Sequence, residues 1–190
     1  MKRTMLCGAA AALIALPGIS RAEFNYTLVD FSYADVQIDV GPFNVDGDGL
    51  TVGGSYTVSD SFFVGGSYEN YDLDLNVDAD VMEIGGGYFY TFNEDLDFVA
   101  TFSYVDTEVS SGGLSANDDG LAIGGGVRAR LSDRIDVDAM AKITDFDKGD
   151  SDSGVELRGR YFFNDDFAVT AQIDLGKDIE TMRIGIRKQF

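Results

Sequence analysis

The sequence predicts an all-β fold: a closed, antiparallel, up-and-down transmembrane barrel of ten strands, with eight strands as the second choice. Three observations predict it. Apolar residues recur at every second position over ten successive segments. Four short acidic turns separate pairs of those segments. The N-terminus reads as an export signal, which sends the chain to the cell envelope or beyond.

The export signal is residues 1–22. Met1-Lys2-Arg3 forms a basic start, Met5 to Leu16 an apolar stretch, and Pro17-Gly18 a break. Ser20 and Ala22 supply a small-x-small end, so cleavage is expected after Ala22. The apolar stretch is short of the ~20 residues that a spanning helix needs. Cys7, the chain's one cysteine, lies at the front of that stretch and not at a lipidation point. Residues 23–190 therefore form one domain without thiols or disulfides.

Ten strands are expected at about 24–34, 48–58, 62–71, 81–92, 96–107, 119–131, 135–145, 154–163, 167–175 and 181–190. The tight turns are Ser59-Asp60-Ser61, Asn93-Glu94-Asp95, Ser132-Asp133-Arg134 and Asn164-Asp165-Asp166. Ser and Asn open such turns because their side chains bond the backbone two residues on. Between them lie acidic, Gly-containing segments at 35–47, 72–80, 108–118, 146–153 and 176–180, expected as long loops. Pro42 falls in the first, so no expected strand contains proline.

Within each strand one face is apolar. The fifth carries Leu96, Phe98, Ala100, Phe102 and Tyr104; the seventh carries Ile135, Val137, Ala139, Ala141 and Ile143. The opposite face holds glycine and charge: Gly124, Gly126, Arg128 and Arg130 on the sixth, Asp136, Asp138 and Lys142 on the seventh. The eighth adds Glu156, Arg158 and Arg160, and the tenth Arg183, Gly185 and Arg187. Alternation alone fits a soluble barrel with an apolar core as well as a membrane barrel with a charged interior. Export, an even strand count and the alternation of short turns with long loops favour the membrane. So do two aromatic groups. Phe62, Phe63, Tyr90, Phe92, Tyr161, Phe162, Phe163, Phe167 and Phe190 lie beside the tight turns, and Tyr33, Tyr68, Tyr71 and Tyr104 toward the long loops.

Composition removes several function classes. The net charge is −19, which argues against nucleic acid. There is no His, so mechanisms built on imidazole are excluded, with His-based zinc sites. No enzyme is expected, and no catalytic, cofactor-binding or metal site is assigned. The acid pair Asp136/Asp138 lies on one strand beside Arg residues that explain it structurally. The Asp-x-Asp pairs Asp46/Asp48, Asp72/Asp74, Asp78/Asp80, Asp145/Asp147 and Asp150/Asp152 suggest divalent-cation binding. None completes a calcium-loop pattern.

Charge is also divided along the chain. Residues 23–127 hold no Lys or Arg, and the bases cluster on the sixth, eighth and tenth strands. Acids lie on the strands beside them: Asp97, Asp136, Asp138, Asp174 and Asp30. Cross-strand ion pairs are expected, forming an Arg/Asp/Glu network that partly fills the lumen. Gly85, Gly87, Gly124 and Gly126 leave a thin passage at most.

The last strand reads Met182-Arg183-Ile184-Gly185-Ile186-Arg187-Lys188-Gln189-Phe190. With the signal, the turns and the alternation, it resembles the small bacterial outer-membrane β-barrel proteins, the OmpA/OmpX-like outer membrane protein beta-barrel domain family. The resemblance covers the whole mature chain. It implies a monomer in the Gram-negative outer membrane, with lipid and lipopolysaccharide as its surroundings. It also implies that the barrel-assembly machinery reads Phe190. Lys188 departs from the family pattern, which prefers an apolar or aromatic residue there, and many relatives have eight strands. The function implied is a structural, surface-interaction or narrow-pore role. A soluble barrel holding a small apolar ligand is the alternative, and a barrel enzyme the lesser one.

Overall fold

The structure is a computed structural model that describes residues 24–40, 43–149 and 151–190. The export-signal segment, residues 1–22, lies outside the described residues, as does Asp150. Ten strands form: β1 (Leu28–Val40), β2 (Phe43–Ser59), β3 (Phe62–Leu73), β4 (Val77–Asn93) and β5 (Leu96–Ser111), then β6 (Leu114–Ser132), β7 (Ile135–Phe146), β8 (Asp152–Phe162), β9 (Phe167–Gly176) and β10 (Ile179–Gln189). Each pairs antiparallel with its sequence neighbours, and β10 pairs with β1, so the sheet closes. Closure leaves no unpaired edge, which is what hydrocarbon surroundings demand of a β structure.

The four tight turns gather at one end, the base. In three of them the expected side-chain bond is present. Asn93, Ser132 and Asn164 accept from the backbone N–H of Asp95, Arg134 and Asp166 at 2.9, 3.4 and 3.0 Å. The register slips at the last residues of β2, β4 and β6, just before their turns.

At the other end, the rim, the expected long loops are largely strand. β2 begins at Phe43, β4 at Val77 and β6 at Leu114. Above the outward apolar band the alternation inverts while backbone pairing continues: Val36, Ile38, Leu73, Ala79 and Val81 turn inward, and Asp35, Asp39, Asp72 and Asp78 face water. Two of the connections that remain are tight. Gly112 and Gly113 turn β5 into β6 with φ of 60° and 85°, the left-handed pair that suits a two-residue hairpin. Leu75 and Asn76 take the same region between β3 and β4, at 69° and 58°. The Asp-x-Asp pairs therefore lie mostly on strand ends rather than in loops. Among the described residues no three His, Cys, Asp or Glu side chains group closely enough to hold a metal ion.

The first strand begins later than expected. Residues 24–27 are irregular, because Asn25 Oδ1 accepts from Thr27 N–H at 2.7 Å and turns the chain inward. The apolar face of every strand points outward: Phe31, Val64, Ile84, Phe102, Ile123, Leu157 and Ile184 are all exposed. A water-soluble protein does not present a continuous apolar girdle of this size. The soluble-barrel alternative, which needs that face inside, is excluded by this orientation.

The aromatic groups divide by parity. Phe62, Tyr90, Phe92, Tyr161, Phe163, Phe167 and Phe190 point outward near the base, and Tyr33, Tyr68 and Tyr104 outward near the rim. Phe63, Phe162 and Tyr71 were expected with them but face the lumen; Phe162 is 1% exposed. Adjacent residues on a strand point to opposite faces, so a run of aromatics cannot all face lipid. Lys188 stands outside the barrel with its ammonium 5.3 Å from the Phe167 ring and 4.7 Å from the Phe190 ring. These cation–π contacts give a base-side interfacial lysine a place in an aromatic belt.

Candidate functional site

The inward face begins with register. Across β5 to β10, one row of paired positions reads Asp97, Arg128, Asp138, Arg158, Gln172, Arg183. The row below reads Arg130, Asp136, Arg160, Thr170. Opposite charges thus alternate around the barrel wall, directly across from one another.

At the base these rows close into a cluster removed from solvent. Arg128 Nη2 donates to Asp136 Oδ2 at 3.2 Å, and Arg130 Nε lies 3.8 Å from Asp136 Oδ1. Arg160 forks onto both oxygens of Asp138. Arg187 forks onto Asp30 at 2.7 and 2.6 Å, across the β10–β1 closure. Asp136 is 0% exposed and Arg128, Arg160 and Arg187 are 2–3% exposed. Fork geometry suits guanidinium to carboxylate and gives each charge a partner in a dry setting.

The N-terminal segment completes the floor. Tyr26 stacks between Phe63 and Phe89, with ring centroids 5.1 and 4.3 Å away. Its hydroxyl donates to Asp97 Oδ2 at 2.7 Å. Arg128 lies over both Phe24 and Tyr26, and Arg130 over Phe24. The four glycines expected to leave a passage all face inward, at different depths. Gly85 and Gly124 border the cavity, although a Cβ would meet the Phe102 carbonyl oxygen at the first and the Thr101 hydroxyl at the second; the Phe63 ring lies against Gly87, below Gly85. Gly126 is tighter still: a Cβ there would run into the Ala139 carbonyl oxygen.

Above the floor is a cavity of about 770 Å³ that opens toward the rim. Tyr26, Phe63, Arg128, Asp138, Arg160 and Arg187 line its bottom. Phe24, Phe89, Asp97, Asp136 and Phe162, deeper still, do not reach it. Its middle carries two ion pairs that join non-adjacent strands. Lys142 on β7 donates to Glu83 on β4 at 2.5 Å, passing over β5 and β6. Ser103 on β5 donates to the same carboxylate at 2.5 Å. Arg183 on β10 reaches Glu69 on β3 at 2.7 Å, passing over β1 and β2, and also pairs with Asp174. Sequence reasoning assigned Lys142 and Arg183 to the interior but did not single out Glu69 or Glu83. Their strands carry no base, so no local partner marked them. Near the rim the β1–β4 wall turns apolar, with Val36, Ile38, Leu73, Ala79 and Val81 around Tyr71.

A closed ten-strand sheet with lipid-type residues outside and paired charge inside defines the class: a membrane-spanning β-barrel. The family model for the outer membrane protein beta-barrel domain matches residues 4–150, and the chain belongs to that family. No curated protein matches the sequence. Among solved structures, the beta domain of the Bordetella autotransporter BrkA is similar, with a TM-score of 0.56 at 11% identity, over 86% of this chain and 99% of that one. The KdgM porin gives 0.48 at 13%, over 85% and 99%. Ail, the attachment invasion locus protein of Yersinia pestis, gives 0.45 at 15%, over 90% and 100%. At these identities the likeness is one of fold. The outer membrane is the location that family membership implies.

Proposed function

We propose that this protein is a non-catalytic outer-membrane barrel that serves a structural and surface-interaction role and does not work as an open pore. The observation that carries the reading is the packing at the base of the lumen, where the Arg128–Asp136 and Arg160–Asp138 pairs lie beside the Phe63–Tyr26–Phe89 stack. Barrels of about eight strands are filled by their own side chains, and wide channels need about 16. In the usual orientation of such barrels the short turns face the periplasm. The blocked end then faces the cell, and the acidic rim faces the lipopolysaccharide layer and its bridging cations. Phe190, exposed just past the end of the last strand, is the residue offered to the assembly machinery, and the closed sheet favours a monomer.

Planar-bilayer recording of the refolded protein tests this reading. A sealed floor gives no stable open steps. Large, long-lived steps in the unmodified protein would overturn it.

A further inference from the structure

The lumen walls carry charge unequally around the barrel. On β1–β5 the inward charged groups along the cavity are acids alone: Asp30, Glu69 and Glu83. Every inward base of the cavity stands on β6–β10, where Arg128, Lys142, Arg158, Arg160, Arg183 and Arg187 outnumber the acids Asp138, Asp152, Glu156 and Asp174. The two half-walls meet at two seams, β5/β6 and β10/β1. Each seam is crossed by one long ion pair: Glu83–Lys142 at the first, Glu69–Arg183 at the second. The field in the middle of the cavity therefore runs across the lumen, from the basic half to the acidic half.

The two seams differ. Arg183 and Glu69 are 13% and 18% exposed, and Asp174 and Tyr71 hold the guanidinium as well. Lys142 and Glu83 are 41% and 30% exposed, and lie over the small residues Ser103 and Gly124. A hydrated pair of this kind contributes little net energy and opens at low cost. An occupant that supplies both an ammonium and a carboxylate replaces one such contact by two. Next to the pair the wall is apolar: Val105 is the register partner of Glu83, and Val81 lies two residues along the same face. The cavity volume falls in the range of small-molecule sites.

We propose that the Glu83–Lys142 seam is a binding site for a small zwitterion of the amino-acid class with an apolar side chain. The ammonium lies against Glu83 and the carboxylate against Lys142. The apolar group rests on Val81 and Val105. The ligand enters from the rim, since the floor is closed. The site stands apart from the question of conduction, because it needs only the cavity and not its sealed end.

Titration of the full barrel in non-ionic micelles, followed by NMR or calorimetry, tests the proposal. The probes are leucine, its decarboxylated amine and its deaminated acid, with empty micelles as control. The wild type is expected to bind leucine at least tenfold more tightly than either single-charge analogue. Glu83→Gln shifts the preference to the acid, and Lys142→Met shifts it to the amine. The exchange Glu83→Lys with Lys142→Glu restores leucine, bound in reverse. Absence of saturable leucine binding to the wild type overturns the site, with no variant required. Equal binding of the three probes, or preferences unmoved in folded variants, overturns the charge assignment. A bilayer trace with open steps would refute the sealed floor and leave these results standing.

Discussion

Asp136→Ala removes the most deeply buried carboxylate of the floor. Partners of that carboxylate remain, among them Arg128 at 3.2 Å and Arg130 at 3.8 Å from its oxygens. At an effective dielectric of about 20, a contact near 4 Å is worth about 4 kcal/mol before desolvation is counted. Asp136 has no exposure to water, so screening does not reduce the interaction. Arg128 keeps Asp138 at 3.8 Å, which limits the loss. The net expectation is the usual cost of breaking one side of a buried pair, about 3–5 kcal/mol. For a urea slope of about 2 kcal/mol/M, the unfolding midpoint of the refolded barrel falls by about 2 M. The paired replacement Arg128→Met with Asp136→Leu recovers at least half of that loss, because neither charge is then left behind. The readout is tryptophan-free: heat-modifiable gel migration and far-UV circular dichroism against urea. A midpoint shift corresponding to less than about 1 kcal/mol for Asp136→Ala would refute the view that these charges are dry and mutually dependent.

Four further outcomes are expected. Tyr26→Ala empties the stack between Phe63 and Phe89; it costs about 3 kcal/mol and produces the first stable conductance steps in planar bilayers. Leu157→Arg, on the outward face near the middle of β8, costs about 2–4 kcal/mol in lipid by urea titration; a neutral result would count against that face meeting hydrocarbon. Gly126→Val drives a side chain into the Ala139 carbonyl, so the folded, heat-modifiable band is lost on refolding. Leu75→Gly relieves a left-handed leucine in an exposed turn and raises stability by up to about 1 kcal/mol, seen as a higher urea midpoint.

Much of the wall was legible because lipid and lumen impose a period of two. Leu121, Ile123 and Leu131 against Gly124, Arg128 and Arg130 place β6 and both its faces without structural help. The rim extensions were not legible for a physical reason. Asp46, Asp48, Asp78 and Asp80 have low strand propensity, and the apolar face changes there from the outside of the barrel to the inside, as at Ala79 and Val81. Only the backbone ladder shows that they are paired. The base pairs were half legible. Facing follows from parity, whereas matching Arg128 to Asp138 needs the register that the Ser132-Asp133-Arg134 turn and its slip impose. The long pairs were beyond reach: Glu69 and Arg183 lie 114 residues apart, and Glu83 and Lys142 lie 59 apart. They meet because the sheet closes. Tyr26, expected within the first strand, became part of the floor because Asn25 turns the chain inward beneath the lumen.

Single-cysteine labelling tests the inside-out arrangement most directly. A chain expressed from residue 23 has no thiol of its own. Ile123→Cys, outward, and Ser103→Cys, inward along the cavity, are each labelled in barrels held in lipid vesicles. A fluorophore at 123 should be quenched by brominated acyl chains and shielded from a water-soluble thiol reagent. Position 103 should escape lipid quenching and react with that reagent from the rim side alone. Lipid quenching at 103 with aqueous reaction at 123, or reaction at 103 from the base side, would contradict an apolar exterior wrapped around a charged lumen with a closed floor.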